Sequence, residues 1–119
     1  MSVQEKVTQE HVMYHTGTDG KQYPDPTPKE YDQFGAAHRR ALIQYEPEQY
    51  QALVVAGELN AYLNDVERQA QEELEQIVQA MAQKDGTDEA LKARDPMKWV
   101  RLMNNYRHCA AEIVRQNWS

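Results

Sequence analysis

The chain has 119 residues and a formal net charge of −6, which fits one small domain. An acidic total argues against non-specific adhesion to nucleic acid or anionic lipid as the main activity, but it permits a basic protein partner. No apolar run approaches the roughly 20 residues that a transmembrane helix needs, and the first residues lack the pattern of a signal peptide. Because the single cysteine, Cys109, excludes an internal disulfide, we expect a cytoplasmic protein.

A β-hairpin is predicted near the amino terminus. His11–His15 and Lys21–Tyr23 favour short strands, and Asp19-Gly20 between them is typical of a hairpin turn. Since two strands alone are only marginally stable, we expect the hairpin to pack on another element.

A proline-rich stretch follows the hairpin. Prolines alternate with other residues over 24–28, and each one fixes φ and removes a hydrogen-bond donor, which predicts a semi-rigid linker. We therefore divide the chain into an amino-terminal arm or hairpin with its linker, residues 1–27, and a helical domain, residues 28–119.

The first helix is predicted from Pro28 to Tyr45. Thr27 can cap it, Pro28 suits its first position, and Glu30 places a negative charge near its positive end. Five residues at helical spacing form its predicted inner face. They are Phe34, Ala37, Ala41, Leu42 and Tyr45.

A short second helix is predicted between Pro47, which suits a first helical position, and Gly57, which suits a helix end. Tyr50, Leu53 and Val54 are its predicted inner residues.

The third helix is predicted to be the longest, from Glu58 to Lys84, and Asp85-Gly86 should end it with a turn. Its apolar residues recur at steps of four and three and form one stripe. The stripe consists of Leu59, Leu63, Val66, Ala70, Leu74, Ile77 and Met81. Because this stripe is long for so small a protein, part of it is available to pair with a second copy in a homodimer.

Two more helices are predicted at the carboxyl end. Thr87 can cap a brief one, and Asp95 with Pro96 can begin the last. The predicted inner face of the last helix is Val100, Met103, Arg107, Ala110 and Val114, flanked by Met97, Trp99 and Ile113. The predicted fold is mainly all-α: a small bundle of three main helices plus short helices, with an amino-terminal β-hairpin or extended arm.

The chain resembles the TnpV family of small transposon-encoded proteins. The resemblance covers roughly residues 14–115 and rests most on the Met-Asn-x-x-Arg pattern of Met103, Asn104 and Arg107. Other matching segments are Tyr14-His15, Asp19-Gly20, Tyr23–Asp25, Arg39-Arg40, Leu42, Pro47, Tyr50, Leu53, Gly57, Leu59, Leu63, Glu89–Arg107 and Ala110–Val114. The chain departs from the family by an amino-terminal extension and by Pro96. The resemblance implies a protein carried by bacterial mobile elements, and it supplies no catalytic residues.

No constellation of residues indicates a metal, a cofactor or a catalytic centre. His11 and His15 share one side of the predicted strand but have no evident third ligand, so a structural or solvent-exposed role is favoured over metal binding. Cys109 would need a base such as His38 to act as a nucleophile, and a small buried hydrophobic role is favoured instead. We therefore expect a protein that is not an enzyme.

Charge is distributed unevenly along the helical domain. Residues 58–85 carry seven acids against two bases, and residues 96–119 carry four bases against one acid. The acidic helix face contributes four candidate partner-binding residues, which could imitate nucleic-acid phosphates for a basic channel or remain a solvated surface. They are Glu67, Glu72, Glu73 and Glu75.

The basic side of the last two helices contributes the other candidates. Arg94, Lys98 and Arg101 share a helix face near Trp99 and could contact phosphates or bases, or form an ordinary exposed face; Asn104 follows. Arg39-Arg40 could extend this strip. Arg107, on the predicted apolar stripe, needs a carboxylate partner, for which Glu67 or Glu72 is the candidate.

Two functions agree with these features. The first is a non-enzymatic interaction protein of a mobile element that binds and inhibits or modulates a protein. The candidate partner is a nucleic-acid-binding host-defence effector such as a Cas nuclease, which an anti-CRISPR inhibitor blocks. The alternative is a DNA-binding accessory of transposition, whose cations contact phosphates while Asn104 or Asn105 reaches an adenine edge.

Overall fold

The computed structural model describes residues 12–118, and within that range the chain forms a two-stranded hairpin and five helices. The strands are β1 (Met13–Thr16) and β2 (Gln22–Asp25), and the helices are α1 (Gln33–Tyr45), α2 (Pro47–Ala56), α3 (Leu59–Asp85), α4 (Glu89–Arg94) and α5 (Pro96–Trp118). The mainly helical fold with an amino-terminal hairpin is confirmed. Of the predicted first strand, His11 lies outside the described residues.

The chain divides into two compact units, one reaching to Arg68 and the other comprising Gln69–Trp118, so the boundary falls inside α3. None of the helices between residues 12 and 118 is both long and apolar enough to cross a bilayer.

The hairpin of the first unit pairs β1 and β2 antiparallel, with Met13 opposite Asp25. Its turn contains Gly20 at φ +80°, a conformation that favours glycine. The start of the predicted proline-rich linker is wrong, because residues 24 and 25 belong to β2 and the linker can begin only after them. Asp25 is completely buried there, unlike a residue of an exposed linker.

The first helix begins later than predicted, at Gln33 instead of Pro28. The predicted cap at Thr27 is therefore wrong, since residues 28–32 follow a non-helical path fixed from α3. Asn64 Oδ1 accepts hydrogen bonds from the backbone N–H groups of Glu30 and Tyr31, and Asn64 Nδ2 donates to the carbonyl of Pro28. Side-chain partners on a distant helix thus replace the helical hydrogen bonds of this segment.

Burial in the first unit partly agrees with the predicted helix faces. Phe34, Ala37 and Leu42 are buried, but Tyr45 is 71% exposed, so its assignment to the inner face of α1 is wrong. Tyr45 is the last residue of α1, where neighbours no longer cover it. The main apolar cluster comprises Tyr31, Leu42, Tyr50, Val54, Leu59 and Leu63. Pro47 begins α2 and Gly57, at φ +70°, ends it, as predicted.

The apolar stripe of α3 is confirmed over its first five positions. Leu59, Leu63, Val66, Ala70 and Leu74 are buried. Beyond Leu74 the buried positions are Val78 and Ala82, and the predicted Ile77 and Met81 are only half-buried. Each step of four residues rotates the buried edge by about 40°, so the covered edge moves around the helix.

The second unit joins α3 to α4 through Gly86 at φ +70°. The predicted cap of α4 is wrong by one residue, because Asp88 Oδ1 accepts from the backbone N–H of Leu91 at 3.0 Å. Thr87 is buried instead, and its hydroxyl lies 2.7 Å from that of Tyr106. Asp95 caps α5 as predicted, accepting from the backbone N–H of Lys98.

The inner face of α5 is rotated from the predicted one. Tyr106, Ala110 and Val114 are its buried residues. Arg107, predicted one position further on, is exposed and pairs with Glu75. Ala110 and Val114 are buried as predicted, whereas Val100 is exposed. At about 100° per residue, the buried stripe is thus centred about 40° from the predicted one.

Candidate partner-binding face

One side of α5 exposes apolar side chains to solvent. Met97 is 76% exposed and Val100 is 45% exposed, because α5 buries its opposite side at Tyr106, Ala110 and Val114. Exposed Asn104 continues the same row at helical spacing. Large exposed apolar side chains that lie together often mark a surface that contacts another molecule.

Cations border this row. Lys98 and Arg101 are exposed on α5, but Arg94 is exposed at the end of α4, so the prediction that all three share one helix face is wrong. Across residues 12–118 these three side chains form no ion pair. We name Met97, Lys98, Val100, Arg101 and Asn104 the α5 outer face. Because Lys98 and Arg101 form no ion pair within residues 12–118, the positive charge of the α5 outer face is available to a partner.

Trp99 does not join the α5 outer face. Its indole is half-buried, and the Lys92 ammonium lies 4.7 Å from the centroid of the ring. With Met103 and Ala82, Trp99 lines a shallow groove of about 390 Å³ in the second unit. The structure therefore separates Trp99 from the cations with which the sequence grouped it.

The predicted acidic face is largely engaged in intramolecular bonds. Glu67 is buried, and its Oε1 accepts from the backbone N–H groups of Asp32 and Gly35 at 2.8 and 2.9 Å. Trp118 Nε1 donates to Glu73 at 2.7 Å. Glu72 is exposed, with contacts of its own.

Glu75 is the partner of Arg107, so the predicted pairing of Arg107 with Glu67 or Glu72 is wrong. Both members of this pair are about half exposed, unlike the buried charge that the sequence suggested. In α5 the guanidinium lies beside the inner face, where a surface carboxylate of α3 reaches it.

Sequence reasoning missed a buried polar cluster in the first unit. His15 Nε2 lies 3.2 Å from both Asp25 Oδ2 and Asn60 Oδ1. Since both oxygens are acceptors, Nε2 carries the hydrogen. Asn60 also donates its backbone N–H to Asp25 and its amide to the carbonyl of Thr27, each at 2.8 Å.

This cluster fastens the hairpin to α3 and is closed to substrates, since its three side chains are buried. No buried side-chain polar atom in the described part of the chain lacks a partner. The overlooked signal is the polar series Asn60, Asn64 and Glu67, whose steps of four and three place it on one side of α3.

The remaining candidates give no reactive centre. His38 Nε2 lies 2.9 Å from the hydroxyl of Tyr62, and Cys109 is exposed, so its predicted burial is wrong. Cys109 precedes the buried Ala110, so it is turned about 100° from that residue around α5. Groups of three or more His, Cys, Asp or Glu side chains able to hold a metal are absent from residues 12–118.

Comparison with known protein families gives a match over most of the chain. The family model described as transposon-encoded protein TnpV matches residues 21–118. The chain belongs to the TnpV family. Searches of curated proteins and of solved structures found no significant match.

The Met-Asn-x-x-Arg pattern of this TnpV protein divides between three environments on α5. Met103 is half-buried beside Trp99 in the groove, Asn104 is exposed on the α5 outer face, and Arg107 pairs with Glu75. The pattern therefore combines packing, an ion pair and one side chain that is open to a partner.

Proposed function

We propose that this transposon-encoded TnpV protein acts by binding another protein, which it inhibits or modulates, and that it catalyses no reaction. The observation that carries the proposal is the α5 outer face, where exposed Met97 and Val100 lie beside Lys98 and Arg101. Methionine and arginine are both enriched in protein–protein interfaces, and isolated exposed apolar groups gain little from contact with phosphates.

The α5 outer face is a better docking surface than the acidic side of α3. Glu67, Glu73 and Glu75 already bind groups of this chain, so docking through them would first break intramolecular bonds. The cations of the α5 outer face need no such rearrangement.

A host-defence effector such as a Cas nuclease is the partner that we propose to test first. A mobile element gains from a product that blocks such a nuclease, which is the anti-CRISPR version of the proposal. DNA cleavage by the nuclease of a host that carries the element should fall when purified protein is added. Unchanged cleavage at a large molar excess would remove this version.

The wider proposal is tested by capture from a host lysate with three matched baits. Wild type and the control Arg40→Glu, which changes an exposed cation in the first unit, should retain the same protein. The Met97→Ser/Arg101→Glu variant should lose that protein while keeping its thermal stability. Equal recovery by all three baits would contradict docking through this face.

A second candidate is a DNA-binding accessory of transposition. It is favoured by three exposed cations, Arg94 at the end of α4 and Lys98 and Arg101 on α5, which precede Asn104. Such cations contact phosphates, and asparagine can bind an adenine edge. A gel shift with the ends of the element at low salt tests this function.

The two candidates respond differently to single substitutions. For DNA binding, Arg101→Ala should weaken the complex and reduce its salt dependence, whereas Met97→Ser should leave it unchanged. For protein binding, both substitutions should weaken the complex. The absence of any shift at low salt would defeat the DNA-binding function.

A further inference from the structure

We propose that the α5 outer face binds an acidic amphipathic helix of its protein partner, an inference that rests on the proposed function. The face is one convex side of a helix, and it combines an apolar row with a cationic row. A helix that presents matching rows is the smallest element that satisfies both.

The two rows follow from helical geometry. At about 100° per residue, Val100, Asn104 and Met97 lie within about 60° of one another around α5. Arg101 and Lys98 occupy the next sector, about 40° to 100° beyond Met97. The apolar side chains and the charges are thus adjacent and not mixed, which suits a partner whose apolar and acidic residues also form separate rows.

The charge of the face excludes some occupants. Pairing the face with the same face of a second copy would place Lys98 and Arg101 against like charges, which disfavours a two-fold dimer at this surface. A nucleic acid would satisfy the cations but leave Met97 and Val100 without apolar contacts. An acidic helix with an apolar row satisfies both sets.

The face also limits the contact in size. Residues 97–104 span about 12 Å of helix, or roughly two turns. A contact of that length belongs to the small, transient class of interfaces, so we expect fast exchange with the partner helix.

The experiment uses the full chain, labelled with ¹⁵N, and synthetic peptides of about 15 residues that are stapled, since isolated helices of that length are marginal. The first peptide carries leucines at i, i+3 and i+7 with glutamates in the neighbouring row. Two matched peptides replace either the leucines by serine or the glutamates by lysine, and a 20-base-pair DNA duplex is the fourth probe. Amide chemical shifts locate the contact, and fluorescence anisotropy measures the affinity.

The acidic amphipathic peptide should shift the amides of residues 97–104 and bind at least about tenfold more tightly than either matched peptide, a difference of about 1.4 kcal/mol. Met97→Ser and Arg101→Ala should each weaken it, and Arg40→Ala should not. Equal binding by the serine peptide or the DNA, shifts confined to other residues, or no binding of the amphipathic peptide would each overturn the inference.

These failures differ from failure of the proposed function. If lysate capture still depends on Met97 and Arg101 when the amphipathic peptide does not bind, protein docking stands and the helical partner is rejected. If capture is also independent of both residues, the proposed function fails with it.

Discussion

The carboxylate of Glu67 on α3 caps α1 by accepting a hydrogen bond from the backbone N–H of Gly35, with 2.9 Å between oxygen and nitrogen. The same oxygen accepts from Asp32. A negative charge therefore satisfies two backbone donors at the positive end of a helix. We expect Glu67→Ala to lower the free energy of unfolding by about 2 kcal/mol in urea denaturation.

Glu67→Gln keeps an acceptor oxygen and removes the charge, so its cost should be about half as large. Glu72→Gln makes the same change of charge on the exposed side of α3 and serves as the control. Equal stability of the two Glu67 variants would show that the hydrogen bonds, which only glutamine can retain, contribute little.

The His15 imidazole stabilises the hairpin through its contacts with Asp25 and Asn60. His15→Ala leaves the buried carboxylate of Asp25 with two backbone donors and opens a cavity, so we expect a loss of about 2 to 3 kcal/mol. Denaturant unfolding followed by circular dichroism measures this loss. Tyr14→Ala on the same strand removes an exposed side chain and should change stability by less than about 0.5 kcal/mol. A similar loss in both variants would mean that general damage to the strand, and not the buried cluster, is responsible.

The Tyr106 hydroxyl forms two hydrogen bonds in the second unit, with Asp85 and Thr87. It donates to Asp85 Oδ2 at 2.9 Å, so the hydroxyl of Thr87, 2.7 Å away, donates to it in turn. Tyr106→Phe leaves the buried Thr87 hydroxyl without its acceptor, and we expect the free energy of unfolding to fall by about 1 to 2 kcal/mol.

A double-mutant cycle with Thr87→Val tests this coupling. The double variant removes both hydroxyls and should cost less than the sum of the two single variants, because no buried donor is left without an acceptor. Additive costs would contradict a direct bond between the two side chains.

Tyr31 should make stability fall at alkaline pH. Burial raises the pKa of its phenol, so the unfolded chain ionises first as the pH rises past about 10. The folded state then holds one proton more than the unfolded state. The stability that the neutral phenol contributes is therefore complete below about pH 10 and is lost as the pH rises through the pKa of the folded state.

Urea unfolding at several pH values from 8 upward measures this dependence, and tyrosinate absorbance reports ionisation. Tyr31→Phe should reduce the alkaline loss of stability. The control Tyr45→Phe, which alters an exposed side chain of α1, should leave that loss unchanged. Identical slopes for wild type and Tyr31→Phe would exclude this phenol as a cause.

Local signals predicted most of the fold. Asp19-Gly20 marked the hairpin, Pro47 and Gly57 bounded α2, and Asp95 capped α5, because each of these effects acts within a few residues of its cause. The stripe of α3 was correct as far as Leu74 for the same reason.

The wrong predictions share a different physical cause. Helix α1 begins at Gln33 because Asn64 and Glu67, more than 30 residues away, bind the backbone of Tyr31 and Asp32 before it. Likewise, whether Tyr106 or Arg107 joins Ala110 and Val114 on the inner face depends on which neighbours cover α5, and helical periodicity fits both residues. The α5 outer face was predicted in its cations but not in its apolar row, since Val100 was assigned to the inner face of the last helix and Met97 to the flank of that face.

The hydrogen bonds of the Asn64 and Glu67 side chains to residues 28–35 go to main-chain N–H and C=O groups and not to side chains. Helix α3 therefore fixes the backbone path of residues 28–35, whatever residues occupy the exposed positions of that segment. Replacing Glu30 by cysteine in a Cys109→Ser background would therefore offer a single attachment point for a dye without changing the path of the backbone.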